Sequence, residues 1–307
     1  MSTPPALPPI YATTPLRVVP HTLIATFPAP TFLENLVVAA DGTLFITNHE
    51  VGEVLRLAPA GEPTVLARLD GKVTGITLAP NDDLILTGWD SAGTPVIVSV
   101  TPTGTVQLRA TLPTAQFLNG ITPLTADTYL TADSYRGAIW RFDATTNEAT
   151  IWLEHPLLAR GNPDSPFPAA NGIKRFGDTL YVSNTEKMLL LQIPLGAQNE
   201  AGEPTVFLAG TNIDDFAFDD QGNLYAATHV YNSVIKITPT GETMVIAEVE
   251  QGVVGSTAVA FSRHPDTLTS LYVVTNGGMF LPLPGGVVPA HVVRLEVGAA
   301  GYPIAPR

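Results

Sequence analysis

The feature that most constrains this chain is a short apolar string that returns six times. Leu44-Phe45-Ile46-Thr47, Leu84-Ile85-Leu86-Thr87, Thr128-Tyr129-Leu130-Thr131, Leu180-Tyr181-Val182-Ser183, Leu224-Tyr225-Ala226-Ala227 and Leu271-Tyr272-Val273-Val274 start 40, 44, 52, 44 and 47 residues apart. Runs this short, rich in β-branched and aromatic residues, fit strands. Most copies follow a run ending in Asp, Asn or Gly (LVVAADG, ITLAPNDD, IKRFGD, FAFDDQGN), as a tight reversal between two strands requires. A third strand comes next, then a turn that barely changes in three repeats: Ala58-Pro59-Ala60-Gly61, Thr101-Pro102-Thr103-Gly104 and Thr238-Pro239-Thr240-Gly241. Proline second and glycine fourth suit a type I turn, which leads into a fourth strand.

Four short antiparallel strands in about 45 residues make one propeller blade. The sequence therefore predicts an all-β fold, a six-bladed β-propeller with four antiparallel strands per blade. The WD40 repeat has a similar period, but its Gly-His and Trp-Asp markers are missing, and the single Trp89-Asp90 falls outside their place. The sixth repeat runs out after its third strand, His291 to Val297. At the other end, residues 20–27 resemble the fourth strands PTVLARL and PTVFLAG. An N-terminal strand is expected to close the ring and leave no free sheet edge there. This divides the chain into a flexible Pro-rich tail (1–16), one propeller (17–297) and a C-terminal tail (298–307).

Stacked blades bury most of their surface, which fits a chain that is 45% apolar and only 14% charged. Acids outnumber Lys plus Arg by 28 to 15, and no basic cluster tracks phosphates, so nucleic acid is not an expected partner. The absence of cysteine excludes disulfides and thiol chemistry. No basic n-region with an apolar h-region opens the chain, and no uninterrupted apolar stretch reaches about 18 residues. The expectation is a cytoplasmic monomer or small homo-oligomer without membrane contact.

In this topology the start of each innermost strand and the loop between second and third strands face the same rim. Glu34, Asn119, Asn171 and Asp214 lie 10, 9, 9 and 10 residues before their apolar strings. In a ring the four converge on the axis. Together they form an oxygen-only set of net charge minus two, which suits a hard divalent cation such as calcium. Thr74 and Ser256 begin the remaining innermost strands. The rim loops bring His49, Tyr135, His229 and Tyr231 to the same mouth. Two long Pro-rich connections, Glu154 to Ala170 and Asn276 to Ala290, carry Phe167 and Phe280 there, so the expected cavity is partly apolar above a polar floor. Plainer readings exist. Asn119-Gly120 and Asn171-Gly172 could instead be hairpin turns, Asp214-Asp215 an acidic loop, and Glu34 a solvated carboxylate, but their shared register in the repeat weighs against all three. His49 and His229 lack the companions of a zinc site. No Gly-x-Ser-x-Gly elbow supports a triad of Ser256, His229 and an aspartate.

From about residue 17 to 297 the chain resembles the six-bladed calcium-dependent propellers, the gluconolactonase/regucalcin, paraoxonase and diisopropylfluorophosphatase group. Glu34 matches their first-blade glutamate. Asn119-Gly120-Ile121 and Ala170-Asn171-Gly172-Ile173 look like their two asparagine motifs. Ile213-Asp214-Asp215-Phe216, followed by Asp219 and Gly222-Asn223-Leu224-Tyr225, looks like their aspartate strand. The resemblance implies Ca2+, or another divalent cation, held by Glu34, Asn119, Asn171 and Asp214. It implies Asp214 and Glu34 as catalytic residues in the hydrolysis of a lactone or related ester. Asp215, His229, Tyr231, Thr74, His49, Tyr135, Ser256 and Phe280 are the expected contacts to a small, partly apolar substrate. Asn35 and Asp215 replace glycines of the gluconolactonases, and Thr74 replaces the histidine of paraoxonase, which separates the chain from sugar-lactone specificity and from a histidine dyad. Strictosidine synthase shares the propeller without metal catalysis. A metal-independent cyclase, condensing enzyme or isomerase, and a non-catalytic binding propeller, are therefore the alternative expectations.

Overall fold

A computed structural model describes residues 14–303, and the strands in it pair as the repeat demands. After β1 (His21–Phe27), blade 1 is laid down as β2 (Leu33–Val38), β3 (Leu44–Asn48), β4 (Glu53–Leu57) and β5 (Thr64–Arg68). Blade 2 is β6 (Gly71–Leu78), β7 (Leu84–Asp90), β8 (Pro95–Val100) and β9 (Val106–Thr111). Blade 3 is β10 (Leu118–Pro123), β11 (Thr128–Asp133), β12 (Ala138–Asp143) and β13 (Glu148–Glu154). Blade 4 is β14 (Ala170–Phe176), β15 (Thr179–Asn184), β16 (Leu189–Pro194) and β17 (Thr205–Ala209). Blade 5 is β18 (Phe216–Phe218), β19 (Leu224–Ala227), β20 (Val234–Ile237) and β21 (Thr243–Ala247). Blade 6 has β22 (Ser256–Phe261), β23 (Ser270–Thr275) and β24 (Ala290–Glu296), and β1 supplies its fourth strand. Thr22 lies opposite Arg294, and Phe27 opposite Ala290, in an antiparallel pair. The ring is closed by its own N-terminus, as the sequence predicts.

Burial follows position in the blade. β2, β8, β10, β11, β22 and β23 are buried along their whole length, because both faces of an inner strand are covered by neighbouring blades. Outermost strands such as β9 and β13 are largely exposed. One core cluster joins blades 1 and 6 through Leu36, Leu44, Ile46, Ala258, Val274 and Val292. Removing the Leu, Ile and Val side chains among them from water contributes about 1.5–3 kcal/mol each.

The ends are attached to blade 5. The Pro15 carbonyl accepts from Val245 N–H at 2.9 Å, and Arg17 N–H donates to Val245 O at 2.8 Å. Contact with the ring thus begins inside the segment expected as tail, whose residues 1–13 lie outside the described residues. At the other end Tyr302 N–H donates to Phe218 O at 2.8 Å, and its ring meets Phe176 at 4.6 Å. Ala300 O also accepts from Asp220 N–H at 2.9 Å, so the described part of the expected C-terminal tail docks onto blade 5, and residues 304–307 lie outside the described residues.

Bulges at the inner rim place the candidate site. The β2–β3 register slips at Glu34, the β10–β11 register at Asn119 and Gly120, and the β14–β15 register at Asn171 and Gly172. A bulge re-aims a side chain out of the pleat. The two Asn-Gly pairs are therefore bulges inside strands, not hairpin turns. Each glycine makes room for the next blade. A Cβ on Gly120 would lie 2.6 Å from Asn171 O, and one on Gly172 would lie 2.6 Å from Asp214 O. Hydroxyls then tie blade to blade: Thr87 donates to Asn119 O at 2.6 Å, Ser183 to Asp214 O at 2.9 Å and Thr257 to Leu33 O at 2.7 Å.

Candidate functional site

The four oxygen residues meet at the floor of a cavity of about 910 Å³ that opens on one rim. Glu34, Asn119, Asn171 and Asp214 are all buried and all line it. Glu34 is 8% exposed, its Oε2 has no hydrogen-bond partner, and it is not a solvated carboxylate. Burial, and then the nearby charges of Asp214 and Asp215, hold its carboxyl well above the usual carboxylate range.

The amides are oriented from behind. Asn119 Nδ2 reaches Ser134 Oγ at 3.4 Å, while Asn171 Nδ2 donates to Thr185 Oγ1 at 3.0 Å and to Asp214 Oδ1 at 2.6 Å. Asp214 Oδ2 lies 2.7 Å from His229 Nδ1.

The tautomer of His229 follows from Asn276. The backbone N–H groups of Gly278 and Met279 donate to Asn276 Oδ1 at 2.9 and 3.2 Å, so its NH2 group is the one that faces His229 Nε2 at 2.8 Å. Nε2 accepts, Nδ1 carries the hydrogen, and that hydrogen points at Asp214. His229 holds this pose from a left-handed backbone, φ 47°, uncommon for a residue with a side chain. Such strain is often stored at functional positions.

His49 has the opposite polarity. Its Nδ1 lies 2.6 Å from Val73 O and must donate, which leaves the Nε2 lone pair on the cavity side, 3.6 Å from Glu50 Oε1. Burial pushes its pKa down, so the ring is neutral near pH 7.

The donor set fits a hard divalent cation. It consists of oxygens only, one carboxylate oxygen is orphaned in the interior, and among the described residues no Lys or Arg pairs with either of the two acids that face each other. Among the described residues no group of three or more His, Cys, Asp or Glu could hold a metal, so a soft or nitrogen-rich site is not indicated. In the candidate set, two of the four donors are amides.

Other expected contacts separate into two groups. His49, Tyr135, His229 and Phe280 line the cavity. Asp215, Thr74, Ser256 and Tyr231 do not. Asp215 turns below the floor, where Lys174 Nζ holds both its oxygens at 2.6 and 2.8 Å and Asn35 Nδ2 reaches it at 3.0 Å. Lys174 opens toward the opposite rim. Thr74 and Ser256 keep the expected register, but their short hydroxyls donate sideways to Leu118 O and Ser233 O, each at 2.8 Å.

The sequence reading did not single out Phe32, Trp89, Phe117 or Asn212, which also line the cavity. Phe32, Phe117 and Asn212 stand two residues before Glu34, Asn119 and Asp214, so the repeat register was a usable signal. Asn212 Oδ1 is a second buried oxygen without a partner.

No protein-family model and no curated protein matches the sequence. Among solved structures the chain is similar to a luciferin-regenerating enzyme, at 16% identity and TM-score 0.70 over 94% of this chain and 99% of that one. It is similar to regucalcin, a calcium-binding protein from Agrobacterium tumefaciens, at 16% identity and TM-score 0.68, covering 92% and 97%. A gluconolactonase from Xanthomonas campestris matches at 13% identity and TM-score 0.65, covering 92% and 97%. At these identities the likeness shows the fold alone, a six-bladed propeller. Among the described residues no helix is long and apolar enough to cross a membrane.

Proposed function

We propose that the chain is a divalent-cation-dependent hydrolase of a lactone or related ester, working at the cavity mouth. The observation that carries this reading is Glu34. A buried carboxylate with an orphaned oxygen, its pKa raised by burial and then by Asp214 and Asp215, and with no Lys or Arg paired to it among the described residues, is a poor structural element and a good cation ligand. The likeness to a calcium-binding protein and to a gluconolactonase supports the same reading.

When bound by Glu34, Asn119, Asn171 and Asp214, calcium or another hard divalent cation supplies a Lewis acid for the ester carbonyl. Asp214 takes the proton of the attacking water on its carboxylate. Asn171 Nδ2 and His229 Nδ1–H hold that carboxylate on both oxygens and fix its direction. Water oxygen bonds to the carbonyl carbon, the carbon–oxygen ester bond breaks, and the departing oxygen takes the proton. The surrounding rings keep bulk water off the floor.

Metal analysis of purified protein, with a lactone panel run in calcium and in chelator, tests the reading. Turnover that needs the metal and is lost in Asp214→Asn is the expected result. Turnover indifferent to both chelator and this substitution would overturn it.

A second reading draws on the Asp214–His229–Asn276 chain, which is complete with protein groups alone. It makes the site an acid–base centre for metal-independent cyclisation, condensation or isomerisation. Turnover that survives chelator and disappears in His229→Gln would select it.

A further inference from the structure

The wall above the floor is asymmetric. Six cavity-lining rings follow one another in contact: Phe280, Phe32, His49, Trp89, Phe117 and Tyr135. Successive centroids are 5.5, 5.0, 5.8, 4.7 and 5.0 Å apart. The Arg160 guanidinium ends the series 4.2 Å over Tyr135. These residues come from blades 6, 1, 2 and 3, so the rings form an arc around one side of the mouth. Asn171, Thr185, Asn212, Asp214 and His229, from blades 4 and 5, gather the polar groups of the other side, beside the Pro166–Pro168 segment and Val230.

The arc offers few groups for a polyhydroxylated ligand. His49 Nδ1 is committed to Val73 O, which leaves Nε2 alone to the cavity, and the Tyr135 hydroxyl donates to Pro166 O at 3.1 Å. The polar residues lining the same blades are engaged as well: Lys72 pairs with Glu50 at 2.7 Å, Ser91 donates to Asp70 at 2.9 Å, and Asp90 Oδ1 accepts from the N–H groups of Ala92 and Thr94. Hydroxyls pressed against these rings would lose water without finding partners, at a cost in binding. A flat conjugated ring meets the arc edge to face or offset, as the arc's own rings meet one another. The volume also exceeds what a simple lactone ring occupies and lies near the top of the range for drug-sized ligands.

We propose that the site takes lactones or esters bearing an aromatic ring, with that ring seated in the Trp89–Phe117–Tyr135 arc and the carbonyl turned to the Glu34 and Asp214 floor. This rests on the hydrolase reading for its chemistry. In the reaction, water adds to the carbonyl carbon, the ring carbon–oxygen bond opens, and the freed alkoxide oxygen takes a water proton. A hydroxy acid results, and its carboxyl proton leaves to solvent.

The test compares 3-isochromanone with δ-valerolactone. Both are six-membered lactones of a primary alcohol, and they differ by a fused benzene ring. Glucono-δ-lactone is the polyol control. Wild-type kcat/KM is expected to be at least about tenfold higher for 3-isochromanone. Trp89→Leu and Phe117→Leu, each checked for an unchanged unfolding temperature, are expected to bring that ratio close to one. Equal ratios in wild type and both variants, or preference for glucono-δ-lactone, would overturn the proposal. If no lactone is turned over, the hydrolase reading fails, and binding decides this inference separately. Calorimetry with 1,4-dihydro-3(2H)-isoquinolinone and δ-valerolactam, the lactam counterparts, then supports it if only the aryl lactam binds and both variants weaken it about tenfold. It is overturned if neither lactam binds or both bind alike.

Discussion

The hydrogen on His229 Nδ1 points at Asp214 Oδ2 across 2.7 Å, and Asn276, 47 residues further along the chain, decides that it is there. A carboxylate held in this way cannot turn from the floor without breaking two hydrogen bonds, one to His229 and one to Asn171.

Asp214→Asn keeps the shape and removes the charge. Lactone turnover is expected to fall by about two to three orders of magnitude, the scale seen when a preorganised polar group is lost. The unfolding temperature of the metal-free protein should change little, because Glu34 loses a repelling neighbour while the new amide nitrogen meets a donor, Asn171 Nδ2 or His229 Nδ1. Steady-state kinetics and a melting curve on the same sample check both halves.

Glu34→Gln should stabilise the metal-free protein. The folded-state pKa of Glu34 is raised well above 4.5, so the folded protein keeps a proton that the unfolded chain gives up as pH rises through that value. Above it the carboxyl costs stability, and the cost grows until pH passes the folded pKa and stays in full beyond it. Removing the charge is expected to contribute on the order of 1–3 kcal/mol near neutral pH, a shift of several degrees. Added calcium should raise the melting temperature of wild type and leave that of Glu34→Gln in place.

His49 works in the opposite sense. Burial lowers its folded pKa below 6.5, so the unfolded chain takes up a proton that the folded protein refuses. Its stabilising contribution is complete above about pH 6.5 and declines as pH falls toward the folded pKa. Denaturant midpoints measured between about pH 7.5 and about pH 5.5 should drop less in His49→Gln than in wild type.

Lys174→Met leaves Asp215 charged and buried, with only amide partners. Asp215 is 3% exposed and Lys174 23%, so the loss is expected to be on the order of 3–5 kcal/mol. Asp215→Asn in the same chain should restore much of it. A double-mutant cycle on chemical denaturation measures the coupling.

Gly172→Ala would press a methyl group to 2.6 Å from Asp214 O and 2.7 Å from Asp215 Oδ1. A destabilisation of about 1–3 kcal/mol is expected, together with reduced turnover as blade 5 shifts. Gly285→Ala, with nothing within 4 Å, is the matched control and should change neither.

Much of this was legible in the chain. Six copies of one apolar string, and an N-terminal run that reads like a fourth strand, determined the propeller and its closure, because strand period and turn chemistry are local properties. Register carried Glu34, Asn119, Asn171 and Asp214 to one rim for the same reason: in a ring of equal blades, equal sequence offsets mean equal depth. The sequence alone also excluded cysteine chemistry and a basic face.

Only the tertiary structure decided which side chains at that depth reach the cavity. Thr74 and Ser256 share the register, yet a short hydroxyl satisfies a neighbouring backbone carbonyl sooner than it reaches the axis. Asp215 sits beside Asp214 just ahead of β18, yet its carboxylate falls below the floor to Lys174. Phe32, Trp89 and Phe117 carry the same apolar signal as core residues. They become a binding wall only because four blades bring them into one arc, a juxtaposition made by ring closure and by no local feature of the chain.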